Sequence, residues 1–573
     1  PLDRNFELYD KLIMDESTEP TSERARHGAL YLRHPEAHIP GHELSEVPSP
    51  APKPFALLVL TILGAVVAIA GFQLHHWAAG AEVPRVALPW VIPFFILLGS
   101  IAVMPFIHRH WWEHNYARVA AVLGFIITIY YLFGFENAQL GRKAIAASVA
   151  EYISFIFLLG SLYVVSGGIL IRVRAKATPL ANVALLLIGA IIANFFGTTG
   201  ASMLLIRPFL RMNKGHLRPY HVVFFIFIVS NLGGSLTPIG DPPLFLGFLQ
   251  GVPFWWVFEH CNLIWLLSNG MLLVMFFIID QLNARRTVRE QLVGDDLGPK
   301  MTMYGAVNLL FVGLIVGGIL LHGPINHTLH NTIGFELPVR ELCMLLAMVG
   351  SLLLTPRRVH IENKFAYGPI KEVAFLFIGI FLTMTPALNY LYTRGSNGGI
   401  VHTPTQFYFA TGTLSGFLDN APTYLTFLQS ELGQLDAETV ARVNAIAKRP
   451  GSDITESDLA GLSEEHQRQL KNAVAGLLKY HGERVNAGTI TDGEVRIAFL
   501  INDPKLNLVL IAISMGAVMF GAATYIGNGP NFMVKAIADH SGVAMPSFFG
   551  YIFRYTLPFL LPVLLLVWVI FIR

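Results

Sequence analysis

Apolar runs of about 20 residues recur from residue 55 to the end of the chain, each long enough to cross a bilayer core of about 30 Å. In hydrocarbon, every backbone N–H and C=O must be satisfied inside the segment, so such runs fold as helices. The expected fold class is an all-α polytopic membrane protein. Composition agrees: 53% of the 573 residues are hydrophobic and 14% charged, where a soluble domain carries about 25% charged residues. This excludes a soluble enzyme, a disordered tail protein and a single-anchor receptor. The 40 basic and 38 acidic residues balance to +2, so no global field favours nucleic acid. Cys261 and Cys343 both lie in apolar stretches and are read as packing residues.

Residues 1–54 are polar and read as a mostly disordered tail, in which His27, His34, His38 and His42 are solvated rather than metal-bound. Spans are expected near 55–75, 86–106, 117–135, 148–171, 179–196, 220–250, 254–280, 303–322, 338–356, 367–390, 405–417, 505–537 and 547–572. They divide into N-terminal spans (55–145), a first repeat (146–280), linking spans (300–360) and a second repeat (366–430 and 501–572). The polar stretch 431–500 mixes acids and bases at helical spacing and reads as a small extramembrane helical insertion.

Basic clusters follow three spans: Arg172, Arg174 and Lys176; Arg285, Arg286 and Arg289; Arg357, Arg358 and Lys364. All three are cytoplasmic if the N-terminus is inside and if 179–213 and 405–430 are re-entrant hairpins that return to their own side. The insertion and the C-terminus then lie outside. The expected location is a bacterial inner membrane.

Two segments of the chain repeat. Gly234, Thr237, Ile239, Gly240, Pro243 and Phe245 overlie Gly521, Thr524, Ile526, Gly527, Pro530 and Phe532 at a constant offset of 287 (234 to 521). Upstream, Phe196 overlies Phe417 at an offset of 221, and the difference is about the size of the insertion. Each half is therefore a hairpin followed by a broken helix, and an odd number of crossings between the halves makes them inverted repeats. Broken helices at membrane depth survive only where they are buried in protein or line a cavity. Paired breaks in two halves point to a transporter's binding site. The hairpin turns at Thr198–Thr199 and Asp419–Asn420 are expected near the midplane, facing the breaks at Gly240 and Gly527.

The run Ser230-Asn-Leu-Gly-Gly-Ser-Leu-Thr-Pro-Ile-Gly-Asp-Pro-Pro243 resembles the signature of the ion transporter superfamily. It is similar to NhaD-type sodium/proton antiporters, ArsB-type permeases, the melanosomal P protein and a citrate-transport group. Leu418-Asp-Asn-Ala-Pro422 resembles the hairpin of the NhaD type. The dicarboxylate branch carries Ser-Asn-Thr in its hairpins, where this chain has Gly197-Thr198-Thr199 and Asp419-Asn420. The resemblance implies a secondary transporter, most simply Na⁺/H⁺ antiport, with cation-coupled transport of citrate or another organic anion as the alternative. It also implies an elevator-like motion and a homodimer. An ion channel or a membrane-embedded enzyme is the reading from another class.

Asp241 and Asp419 are the two carboxylates of the paired motifs, opposite Asn528 and Thr198 respectively. A carboxylate at membrane depth is costly unless paired or wetted, so both are candidates for carrying the coupling proton; capping of a half-helix is the alternative. Asn231, Thr237, Asn420, Asn528, Thr198, Thr199 and Thr524 add uncharged oxygens, the ligand type hard cations take. Asp419, Asn420 and Asn528 are the candidate Na⁺ ligands. Glu372 is a candidate proton relay beside Lys371. Arg207 and Lys535 become candidates for charge compensation if the substrate is an anion. His108, His110, Glu113 and His114 form an expected loop cluster, read as an interfacial belt with Trp111 and Trp112 rather than a metal site. No phosphate loop, zincin helix or serine nucleophile elbow is found, and no cofactor is expected beyond Na⁺ and H⁺ as transported ions.

Overall fold

The computed structural model describes residues 54–80, 82–174, 177–286, 300–334, 336–395, 399, 401–449, 452–486, 488 and 490–573. The tail with its four histidines, and Lys176 and Arg289 of the basic clusters, lie outside them. Among the described residues ten helices are long and apolar enough to cross a bilayer. The chain is an all-α polytopic integral membrane protein.

Helices α1 (Pro54–Ala78), α2 (Ile92–Ile107), α3 (Arg109–Phe133) and α4 (Ala138–Gly167) come first. The expected loop at His108–His114 is instead the entry to α3, where His114 Nδ1 hydrogen-bonds the His110 carbonyl at 2.9 Å. Polar side chains at a first turn can turn to water while the apolar run behind them continues the helix, so the composition read as a loop. Among the described residues no group of three or more His, Cys, Asp or Glu is arranged to hold a metal.

A short antiparallel ribbon follows α4, pairing β1 (Leu170–Arg174) with β2 (Lys300–Tyr304), Leu170 opposite Tyr304. Between the strands lie α5 (Pro179–Met212), α6 (Pro219–Ile228), α7 (Pro242–Leu249) and α8 (Trp256–Arg286). The 34 residues of α5 would make a straight rod of about 50 Å. They do not: Asn182 and Asn213 exchange side-chain hydrogen bonds of 2.9 and 2.8 Å, so the two ends lie side by side. The turn is Gly197, at φ 71° and ψ 158°, a left-handed backbone that only glycine adopts without strain. Asp280 of α8 fastens the hairpin base, accepting from Asn182 at 2.9 Å and Tyr220 at 2.6 Å.

The next helices are α9 (Val307–Ile333), α10 (Val339–Leu354), α11 (Arg357–Glu362) and α12 (Gly368–Gly395). A second hairpin is built from α13 (Pro404–Phe417) and α14 (Asn420–Leu432). Its arms are antiparallel: the Phe407 and Phe427 rings lie 6.3 Å apart, and Gln434 Nε2 donates to the Val401 carbonyl at 3.0 Å. Helices α15 (Ala437–Ala447), α16 (Glu456–Leu459), α17 (Glu464–Asn486) and α18 (Asp492–Asn502) follow, and pack their own core around Val443, Leu470, Leu477 and Phe499. The last of them also gives Ile497, Leu500 and Ile501 to the main core, so α18 belongs to both.

Two helices are interrupted. The chain leaves α6 at Ile228 and resumes as α7 at Pro242; it leaves α19 (Pro504–Phe520) and resumes as α20 (Gly529–His540). Pro242 and Pro530 stand in the first turns, where the missing N–H of proline has no intrahelical partner to lose. The last segment, Phe548–Ile572, is again long and apolar enough to cross.

Candidate functional site

Each hairpin tip is fastened to the break that follows it in its own half by threonines that match at the repeat offset, although the carbonyls they meet are one position out of register. Thr237 Oγ1 donates to the Asn194 carbonyl at 2.6 Å, and Thr524 Oγ1 to the Gly416 carbonyl at 2.6 Å. Each threonine oxygen also accepts from the glycine three residues on, Gly240 or Gly527, at 3.2 Å. The Thr198 N–H donates to the Gly240 carbonyl at 2.8 Å, so the first tip faces the first break. Asn194 adds a second clamp, accepting from the Leu236 N–H at 2.9 Å and donating to the Gly233 carbonyl at 2.8 Å.

Asp241 is where the four interrupted segments meet. Its Oδ1 accepts from Thr198 Oγ1 at 2.7 Å and Asn528 Nδ2 at 3.0 Å; its Oδ2 accepts from Asn420 Nδ2 at 2.6 Å. One donor comes from the first hairpin, one from the second hairpin and one from the second break. Asp241 and Thr198 are 1% exposed, Asn528 2% and Asn420 0%. A buried carboxylate needs donors or a cation to offset lost hydration. Here all three donors are neutral, so none of them would cancel a negative charge on Asp241. The side chain does not cap α7, although Asp241 occupies its N-cap position.

The network continues across the halves. Asn528 Nδ2 also lies 3.1 Å from Asn231 Oδ1, and Asn231 Nδ2 donates to Asn531 Oδ1 at 2.6 Å. Asn531 Nδ2 donates in turn to the carbonyls of Gly521 and Thr524 at 2.8 and 2.9 Å. Unwound carbonyls of the second break are therefore tied to the carboxylate of the first.

Asp419 plays a different part. It is the N-cap of α14, and its Oδ1 accepts from the Ala421 N–H at 3.1 Å. It is only partly buried, unlike Asp241. Asn420 Oδ1, by contrast, is buried and accepts no hydrogen bond among the described residues, while its amide nitrogen faces Asp241. A free buried oxygen beside two acids has the chemistry of a hard-cation ligand.

The structure thus joins Thr198, Asn231, Asp241, Asn420 and Asn528 in one network, with Asp419 adjoining. Thr237 and Thr524 are used as fasteners of the breaks. Thr199 is half-buried beside the tip and makes no side-chain contact with Asp241. Glu372 lies in the first turn of α12 and takes no part in the Asp241 contacts. Lys535 is engaged by Asp539 at 2.6 Å. Asn194 and Asn531 were not anticipated from the sequence; the available signal was an amide inside an apolar run, which in a membrane interior must find a partner.

No curated protein matches the chain. A family model described as "Putative citrate transport" matches residues 83–572, a range that takes in both hairpins, both breaks and the insertion, and the chain belongs to that family.

Proposed function

We propose that the chain is a secondary transporter that carries citrate, or an organic anion of the same class, together with cations through the site at Asp241. Support comes from the family and from the one observation that carries the reading: four interrupted segments, two from each half, converge on a single buried carboxylate. The side chains that meet Asp241 are a hydroxyl and amides, with no basic group among them. A polycarboxylate entering such a site needs accompanying cations, Na⁺ or protons, to offset the charge. Asp419 and the free Asn420 oxygen are suited to hold them. The two halves act as inverted repeats, in a bacterial inner membrane with the N-terminus cytoplasmic.

Na⁺/H⁺ antiport without an anion is the second reading, and the acid-rich, base-free site is the observation that favours it. Purified protein in vesicles separates the two. Labelled citrate accumulates under an imposed Na⁺ or H⁺ gradient on the first reading. On the second, citrate stays outside and Na⁺ alone evokes a change of internal pH.

Asp419→Asn is expected to abolish cation-driven proton movement. The amide keeps the capping hydrogen bond to Ala421, so stability changes by no more than about 1 kcal/mol. Internal pH recorded with a dye in vesicles, after equal reconstitution, checks this. A mutant with the wild-type rate and pH profile makes Asp419 a cap only.

A further inference from the structure

Gln250 closes the end of α7, the half-helix that begins at Asp241. Gln429 lies in α14, the arm that begins at Asp419. Their far ends meet at a third acid, Glu151 of α4. Glu151 Oε1 accepts from Gln250 Nε2 at 2.8 Å, and Gln250 Oε1 accepts from Gln429 Nε2 at 3.2 Å. Eight residues of α7 and ten of α14 place this meeting point about 12–15 Å along each helix from the acid at its start.

Glu151 is half-buried, and two acids of neighbouring spans have basic or phenolic partners. Glu341 is paired with Arg340 at 2.7 Å and accepts from Ser154 at 2.6 Å. Asp280 lies 3.2 Å from His221 and accepts from Tyr220. Glu431 accepts from Gln434 at 3.2 Å, three residues along its own chain, and so joins nothing. The hydrogen-bond partner of Glu151 is instead a neutral amide, which joins it to α7 and, through Gln429, to α14. The polar groups facing it are Gln250 from α7 and, through Gln250, Gln429 from α14. Two charged pairs lie close by: Arg340 and Glu341, engaged with each other at Ser154 one turn away, and Glu494 with Arg484, where Glu494 packs against Gly251 beside Gln250.

We propose that Glu151 is a proton-carrying carboxylate of the transport cycle, distinct from the Asp241 site, which binds the coupling proton where α4 meets the two acid-bearing half-helices. A carboxylate at membrane depth without a counter-cation is held only at a cost that a proton removes. The step is simple: the carboxylate takes one proton from one side and becomes a neutral acid, and it returns that proton to the other side. The neutral acid also offers an O–H to Gln250 Oε1, so its state alters the hold of α4 on both half-helices.

This inference rests on the proposed cation-coupled transport, and the test separates the two. Vesicles with wild type, Glu151→Gln or Glu151→Asp are assayed for citrate counterflow without a gradient and for citrate accumulation driven by a pH gradient. Glu151→Gln is expected to keep counterflow within about twofold and to lose gradient-driven accumulation at least about tenfold, as when a proton-transfer group is removed. Glu151→Asp keeps a carboxyl and recovers part of the accumulation. Wild-type accumulation by Glu151→Gln overturns the proposal. So does equal loss of counterflow and accumulation in a variant that elutes as native, or an Asp variant as inert as the Gln one. If wild type shows no counterflow, the citrate reading fails instead, and Na⁺-evoked pH change in the same variants decides the role of Glu151.

Discussion

Asp241→Asn is expected to cut transport at least about tenfold while leaving a folded protein. The carboxylate accepts three hydrogen bonds, from Thr198, Asn420 and Asn528. An amide of the same shape can still accept the two at Oδ1. Its new N–H would face the Asn420 amide nitrogen, but Asn420 has a buried oxygen with no other partner and can turn it inward. The fold therefore adapts and the melting temperature moves little. What cannot be recovered is the charge. Hydrogen bonds to charged groups are worth about 1.5–3 kcal/mol, so uptake should fall to between about one tenth and about one hundredth of wild type. Uptake above one tenth of wild type would remove Asp241 from the centre of the mechanism.

Gly240→Ala has an effect of similar size by a steric route. A Cβ at Gly240 would lie 2.0 Å from the Gly234 carbonyl oxygen. That oxygen is backbone, so no rotamer change relieves the clash. The same residue's carbonyl receives the Thr198 N–H. Any shift that makes room separates the first tip from Asp241. Overpacking of this kind costs about 1–3 kcal/mol or more, and transport should be lost even where the protein is recovered folded. The repeat makes a further demand: a Cβ at Gly527 would lie 2.6 Å from the Gly521 oxygen, so Gly527→Ala should fail likewise. Gly270, in the middle of α8, has nothing within 4 Å of its Cβ position, and Gly270→Ala should transport normally. The three variants, compared by thermal melt and by uptake, separate a general intolerance of substitution from a demand of the breaks.

Much of this was legible in the chain. Span lengths report on hydrocarbon thickness, and glycine, proline and asparagine inside apolar runs mark the breaks. The matched threonines at 237 and 524 were visible as a repeat, but their use as fasteners was not, because a hydroxyl's partner is set by a neighbouring segment far away in sequence. The same limit hid the bridge from Glu151 to Gln250 and the pairing of Asn182 with Asn213. The two acids, both candidates in the sequence, take different parts in the fold. Asp419 is the local cap and Asp241 the meeting point, although both stand at helix starts in the sequence. Only the fold decides which of them receives donors from three other segments. The polar start of α3 misled for a local reason: composition there matches an exposed loop and an interfacial helix turn equally.

On the proposed function, the substrate occupies the space between the hairpin tips beside Asp241. Thr199 is half-buried at the first tip, and a cysteine placed there reports on that space. In a background lacking Cys261 and Cys343, the rate of thiol labelling of Thr199→Cys is measured with and without citrate, in the presence of Na⁺ at fixed pH. At about ten times its dissociation constant, citrate should slow the labelling about tenfold, as site occupancy requires. Labelling that is slowed by Na⁺ but indifferent to citrate at every concentration would contradict the account and leave a cation antiporter in its place.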